Sequence, residues 1–128
     1  MIRIVLIEGP KSQRERTSGL LRFAGCSVIG SADCLRDAEE MCACLQPDVV
    51  LLDISDLDCN NIGLQSLLKP PQPIIMVLGG DSDRASIFCA IRDGAADFII
   101  KPFDELRLFA ALEKATRTLT VEDPAHGT

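Results

Sequence analysis

Two carboxylates and one ammonium stand just past the ends of separate apolar runs: Glu8 after IRIVLI, Asp53 after VVLL and Lys101 after DFII. Gly79, after IIMVL, holds the same kind of position without a side chain. A carboxylate can act as a nucleophile, and an ammonium beside it can offset negative charge on a group being transferred. Residues so far apart in the chain cooperate only if something gathers them. A parallel sheet does this, because the carboxyl ends of its strands lie along one edge and border a common crevice.

The elements needed for such a sheet are legible. The runs 2–7, 26–31, 48–52, 73–78 and 97–100 are short and rich in Ile, Val and Leu, and several are almost continuously apolar, as strands buried on both faces tend to be. Amphipathic stretches separate them. Thr17, Leu20, Leu21 and Ala24 recur at helical spacing, with Gly25 as a stop. Asp33 is placed to cap a second helix with the stripe Leu35, Ala38, Met41, Cys42 and Leu45, ending before Pro47. A short third helix is expected over 62–68, closed by Pro70 and Pro71. Ser82 or Asp83 can cap a fourth, with Ile87, Ala90 and Ile91 inward and Gly94 after its end. Asp104 opens a fifth, carrying Leu108, Ala111, Leu112 and Ala115. Strand and helix alternate five times, which predicts an α/β domain: a doubly wound, five-stranded parallel sheet with helices on both faces.

A chain of 128 residues, 47% hydrophobic, suits one domain with one real core. The tail 118–128 has little apolar content and reads as a linker or frayed end, with the lone His126 inert within it. A net charge of -6 argues against this segment gripping a phosphate backbone, which needs clustered Lys and Arg. No apolar run is long enough to span a bilayer, and MIRIVLIEGPK lacks the features of a secretory leader, so a cytoplasmic location is expected. The six cysteines sit mostly among apolar neighbours and, with one histidine in the chain, do not make a zinc pattern, so they are read as small hydrophobes. There is no G-x-G-x-x-G, no Walker lysine loop and no Ser, His and Asp set near strand ends. A free-standing enzyme is therefore not expected. The run Gly79-Gly80-Asp81-Ser82 could form an anion-binding nest, although glycine pairs more often only make turns.

PDVVLLDIS, the run GAADFIIKPFD and the order of elements resemble a response-regulator receiver domain of two-component signalling, over residues 1–117. The resemblance implies a flavodoxin-like (βα)5 fold. It also implies that a histidine kinase delivers a phosphoryl group to Asp53, with Lys101 as phosphate partner. Mg2+ would be held by Glu8, Asp53 and the Ser55 carbonyl. Such chemistry is sound in itself, since a carboxylate that forms an acyl phosphate needs cations to offset charge on the transferring group.

The departures from the family pattern carry as much information. Where receivers present two adjacent acids after the first strand, this chain has Glu8 followed by Gly9 and Pro10, so Mg2+ affinity is expected to fall. Where a Thr or Ser hydroxyl ends the fourth strand, the chain has Gly79. Phe98 occupies the aromatic switch position, three residues before the lysine, without that hydroxyl as a partner. The loop after Asp53 reads ISDLDCNNIG, in which Asn61 can take the place of a glycine and Asp56 and Asp58 are expected to face water.

Two functional classes remain. The favoured one is an atypical, pseudo-receiver-like module that binds proteins and switches weakly or not at all through phosphate. The alternative is a phosphorylatable receiver whose acyl phosphate on Asp53 shifts a two-state equilibrium. The expected partners are a histidine kinase or another signalling protein. Phe88 and Leu106 lie outside the core stripes, and a homodimer or partner contact is expected through the fourth helix, fifth strand and fifth helix.

Overall fold

The structure is a computed structural model that describes residues 1–54, 64, 67, 68 and 72–121, with side chains followed as far as Arg117. Five strands form one sheet in the order β2-β1-β3-β4-β5, and every neighbouring pair is parallel. They are β1 (Arg3–Ile7), β2 (Ser27–Ala32), β3 (Val49–Asp53), β4 (Ile74–Gly79) and β5 (Asp97–Ile100). The described helices are α1 (Lys11–Phe23), α2 (Leu35–Leu45), α3 (Arg84–Arg92) and α4 (Glu105–Val121), with a 3-10 turn at Asp81–Asp83 before α3.

The central strands are apolar throughout because both of their faces are covered. Along β1 and β3, alternate side chains enter two different cores. Val5, Ile7, Val50 and Leu52 join Ala38 of α2 and Ile87 and Ala90 of α3 on one face. Ile4, Leu6, Val49 and Leu51 join Leu21 of α1 and Leu108 and Leu112 of α4 on the other. Most of the expected helical stripes therefore face inward.

Several element ends differ from the sequence expectation. Cys34, not Asp33, flanks the start of α2, and Asp33 is exposed. That helix ends on Gln46, which takes a left-handed conformation with φ of 48°. Asp83 does flank α3, but its carboxylate turns back to accept a hydrogen bond from the Gly80 N–H at 2.9 Å. Asp104 caps α4 as expected, accepting from the Arg107 N–H at 2.9 Å. That helix runs on to Val121, past the boundary expected at 117. Gly25 and Gly94, after α1 and α3, have φ of +89° and +126°, the left-handed region in which a Cβ is strained. The helix expected over 62–68 lies largely outside the described residues, though within it Leu64 and Leu67 are helical and buried.

Strand register is what builds the site. Ile7 pairs with Leu52, Asp53 with Leu78 and Gly79 with Ile100. Neighbouring strands among β1, β3, β4 and β5 thus end within one residue of each other, and the residues at and after their ends share one rim. β1 lies between β2 and β3, so the chain turns outward in both directions from β1, and the crevice outside the β1 and β3 ends lies at this reversal.

Candidate functional site

Glu8 continues β1 by one residue and remains tied to the sheet, its N–H donating to the Ala32 carbonyl at 3.1 Å. Asp53 closes β3, and Lys101 follows β5 with its N–H donating to the Gly79 carbonyl at 2.8 Å. The peptide bond from Lys101 to Pro102 is cis. The Lys101 ammonium reaches inward and donates to Asp53 Oδ2 at 2.6 Å and to Glu8 Oε2 at 3.2 Å. The three residues that the sequence placed at strand ends therefore converge on one point.

The two carboxylates are deeply buried, Glu8 being 1% and Asp53 4% exposed. Carboxylates so far removed from water need a cation or several donors to remain charged. Lys101 supplies the cation to both. Burial works to lower the Lys101 pKa, but the hydrogen bond and charge of Asp53, followed by those of Glu8, outweigh it and raise the pKa above the ordinary lysine value. The ammonium therefore stays charged throughout the neutral range.

One polar atom is left over. Glu8 Oε1 is buried and has no hydrogen-bond partner among the described residues. A buried acceptor in that state calls for a water or a cation. The donor set suits a hard ion, since Mg2+ commonly takes one or two protein carboxylates and fills its other positions with water and phosphate oxygens. Glu8 and Asp53 fit that requirement. Ser55, expected to contribute a carbonyl, lies outside the described residues, as do Asp56, Asp58 and Asn61.

Two contributors were not anticipated. Arg14, on the first turns of α1, donates from one nitrogen to the Glu8 carbonyl at 2.9 Å and the Gly9 carbonyl at 2.8 Å, and so fixes the turn that carries Glu8. Nothing in the sequence beyond a basic residue six positions on signalled this contact. Ile54, directly after Asp53, is 1% exposed and packs where a side chain at position 79 would go. Only the tertiary arrangement reveals that contact. The nest imagined at Gly79-Gly80-Asp81-Ser82 already holds an anion of its own, the Asp83 carboxylate on the Gly80 N–H.

On the α1 side of the sheet a cleft of about 370 Å³ opens beside the carboxylates, bordered by Glu8, Thr17, Leu20, Lys101, Pro102 and Phe103. Phe98, on the edge strand β5, is 40% exposed. The buried or half-buried Cys26 and Cys42 have thiol pKa values raised by burial, which fits a packing role.

Residues 4–113 match the family model of the response regulator receiver domain. The chain belongs to the response-regulator receiver family. It is 32% identical over 117 residues to the chemotaxis protein CheY of Thermotoga maritima, covering 90% of this chain and 98% of that protein. It is also 32% identical over 118 residues to the sensory transduction protein LytT of Bacillus cereus, where 89% of this chain spans only 47% of the relative. Among solved structures, the receiver domain of NtrX from Brucella abortus superposes with a TM-score of 0.80 at 28% identity, covering 90% of this chain and 98% of that one. A receiver of this length thus resembles both a protein no longer than itself and a part of a larger one. No helix among the described residues is long and apolar enough to cross a membrane.

Proposed function

We propose that this receiver domain acts chiefly as a protein-interaction module of two-component signalling, in which switching by phosphoryl transfer is weakened. The observation that supports this reading most directly is the bare end of β4. Gly79 stands one residue beyond the strand partner of Asp53 and offers no side chain to bond a phosphoryl oxygen. On the opposite side of the crevice, Gly9 follows Glu8 where a second carboxylate would strengthen a metal site, and its carbonyl is taken by Arg14. Apolar side chains on three adjacent elements are open to solvent: Phe88 and Ile91 on α3, Phe98 on β5, and Leu106 and Phe109 on α4. They suit docking to a signalling protein or to a second copy of the chain.

A phosphorylatable receiver is the second reading, favoured by the 2.6 Å contact between Lys101 and Asp53. In that reaction an Asp53 oxygen attacks the phosphorus of a kinase phosphohistidine, the P–O bond forms as the P–N bond breaks, and the imidazole leaves with the bond electrons. Lys101 moves from the carboxylate to the incoming phosphoryl oxygens and offsets their charge. Mg2+, held by Glu8 and Asp53, would supply further counter-charge. The deciding experiment is an amide-shift titration with beryllofluoride and Mg2+, paired with intact mass after incubation with acetyl phosphate. The interaction-module reading expects weak, non-saturating shifts and little mass gain. Stoichiometric modification of Asp53 with saturation at low Mg2+ would overturn it.

A further inference from the structure

Among the described residues, the candidate site touches two routes by which a change at Asp53 could reach the surface, and they leave on opposite faces of the sheet. The first runs through the corner joining β4 to α3. A Cβ placed on Gly79 would lie 2.7 Å from Ile54 Cγ2, 3.2 Å from Asp83 Cβ and 3.2 Å from Ile87 Cδ1. The Cγ2 methyl is attached directly to a β-branched carbon, so it cannot swing clear as the tip of a long side chain would. The same corner is held by two hydrogen bonds, Gly80 N–H to Asp83 Oδ2 at 2.9 Å and Lys101 N–H to the Gly79 carbonyl at 2.8 Å. It is filled and tied, and position 79 itself has no side chain that could follow a charge at Asp53.

The second route runs through Lys101 itself. Its ammonium is shared between Asp53 and Glu8, so any change in the charge of Asp53 alters how it divides between them. Its side chain is 29% exposed and borders the cleft that also holds Thr17, Leu20, Pro102 and Phe103. Leu20 and Phe103 pack on the α1 and α4 core, whereas Ile54 and Ile87 belong to the α2 and α3 core. Open space on one side and close packing on the other make the choice.

We propose that a change of charge at Asp53 is read out through Lys101 in the cleft between α1 and the β5–α4 connection, and not through the β4–α3 corner. This rests on the reading of Asp53 and Lys101 as the responsive pair. The corner then holds Phe98 and α3 in one arrangement whatever the state of Asp53. The partner face they form is constitutive, while the cleft is the surface that changes.

Amide shifts of the full chain test the proposal in two comparisons: Asp53→Asn against wild type, and wild type with and without beryllofluoride and Mg2+. Beyond the residues touching Asp53, the largest changes are expected at Thr17, Leu20 and Phe103, with smaller ones at Ile87, Phe88 and Phe98. Changes at Ile87 and Phe98 as large as those in the cleft overturn the route. The packing claim has its own measurement. Gly79→Ser is expected to lower the unfolding midpoint by about 5 °C, and I54A/G79S to lose less than the two single variants together. A Gly79→Ser variant as stable as wild type overturns the sealed corner. If beryllofluoride moves nothing, the phosphoryl-accepting reading fails, while the Asp53→Asn comparison still decides the route.

Discussion

Replacing Lys101 with Met keeps most of the aliphatic stem and removes the charge. Glu8 and Asp53 would then face each other, 1% and 4% exposed, with the ammonium that bridged them gone. At an effective dielectric of about 20, contacts of 3.2 Å and 2.6 Å correspond to roughly 5 and roughly 6 kcal/mol of gross attraction. Desolvation of the three groups takes back most of that, and breaking a buried pair from one side costs about 3–5 kcal/mol net. Because the Lys101 side chain is 29% exposed and partly screened, the lower end applies, about 3 kcal/mol at pH 7. The chain has no Trp or Tyr, so urea unfolding is best followed by circular dichroism, and the midpoint should fall by about 1–2 M. In an E8Q/D53N background the same substitution should cost under about 1 kcal/mol, since the two carboxylate charges that Lys101 offsets are gone. A loss below about 1 kcal/mol in the wild-type background would mean that the pair behaves as an exposed one, and would refute the reasoning.

The raised Lys101 pKa sets a second expectation. The ammonium's contribution is fully present below the unfolded lysine value of about 10.4 and is lost only as pH rises through the higher folded value, so the wild-type advantage over Lys101→Met should hold to about pH 10 and narrow above it. Arg14→Met removes both bonds to the Glu8 and Gly9 carbonyls and should cost about 1–2 kcal/mol by urea unfolding, together with a weaker response to Mg2+. Gly9→Asp restores a second acid beside Glu8 and should tighten Mg2+ binding about tenfold, equivalent to about 1.4 kcal/mol, as measured by titration of amide shifts. Phe88 is 73% exposed, so Phe88→Asp should leave the unfolding free energy within about 0.5 kcal/mol of wild type while lowering the sedimenting mass if α3 carries the dimer contact.

The sheet and three of its rim residues were legible because fully buried parallel strands write themselves as short unbroken apolar runs, and the residue after each run inherits a place on the rim. That logic brought Glu8, Asp53 and Lys101 together from segments with no local relation. It also marked Phe88 and Leu106 as lying outside the cores, and both are exposed. Helix ends were less legible, because capping depends on small backbone choices. Asp33 is a better capping residue by type than Cys34, yet Cys34 takes the position, and Gln46 adopts a conformation usually left to Gly or Asn. Arg14 and Ile54 were missed for a different reason. Both are ordinary for their elements, a basic residue on a helix and an apolar one after a strand, and they acquire their roles only through what the fold brings beside them.

The two losses at this site act on opposite ends of one grip. A phosphoryl group on Asp53 would need counter-charge on its oxygens and a donor at the β4 end. Glu8 alone secures less of a metal's charge than two acids would, and Gly79 secures no donor at all. Lys101 is left as the principal cation, and in the resting state it is already committed to two carboxylates. Transfer of its charge to a phosphoryl group would leave Glu8 buried with, among the described residues, no partner for Oε1 and the Lys101 contact to Oε2 lost. On the interaction-module reading, the modified state would carry a desolvation penalty that the resting state avoids, which would bias the equilibrium toward the resting state even where transfer is chemically feasible. The same bias predicts that Glu8→Gln, which removes the competing charge while keeping the shape, should strengthen the beryllofluoride response at Lys101 and Phe103 if the penalty on Glu8 outweighs its value as a metal ligand. A weaker response in Glu8→Gln would show instead that Glu8 matters first as a ligand, and would place the limiting loss at Gly9.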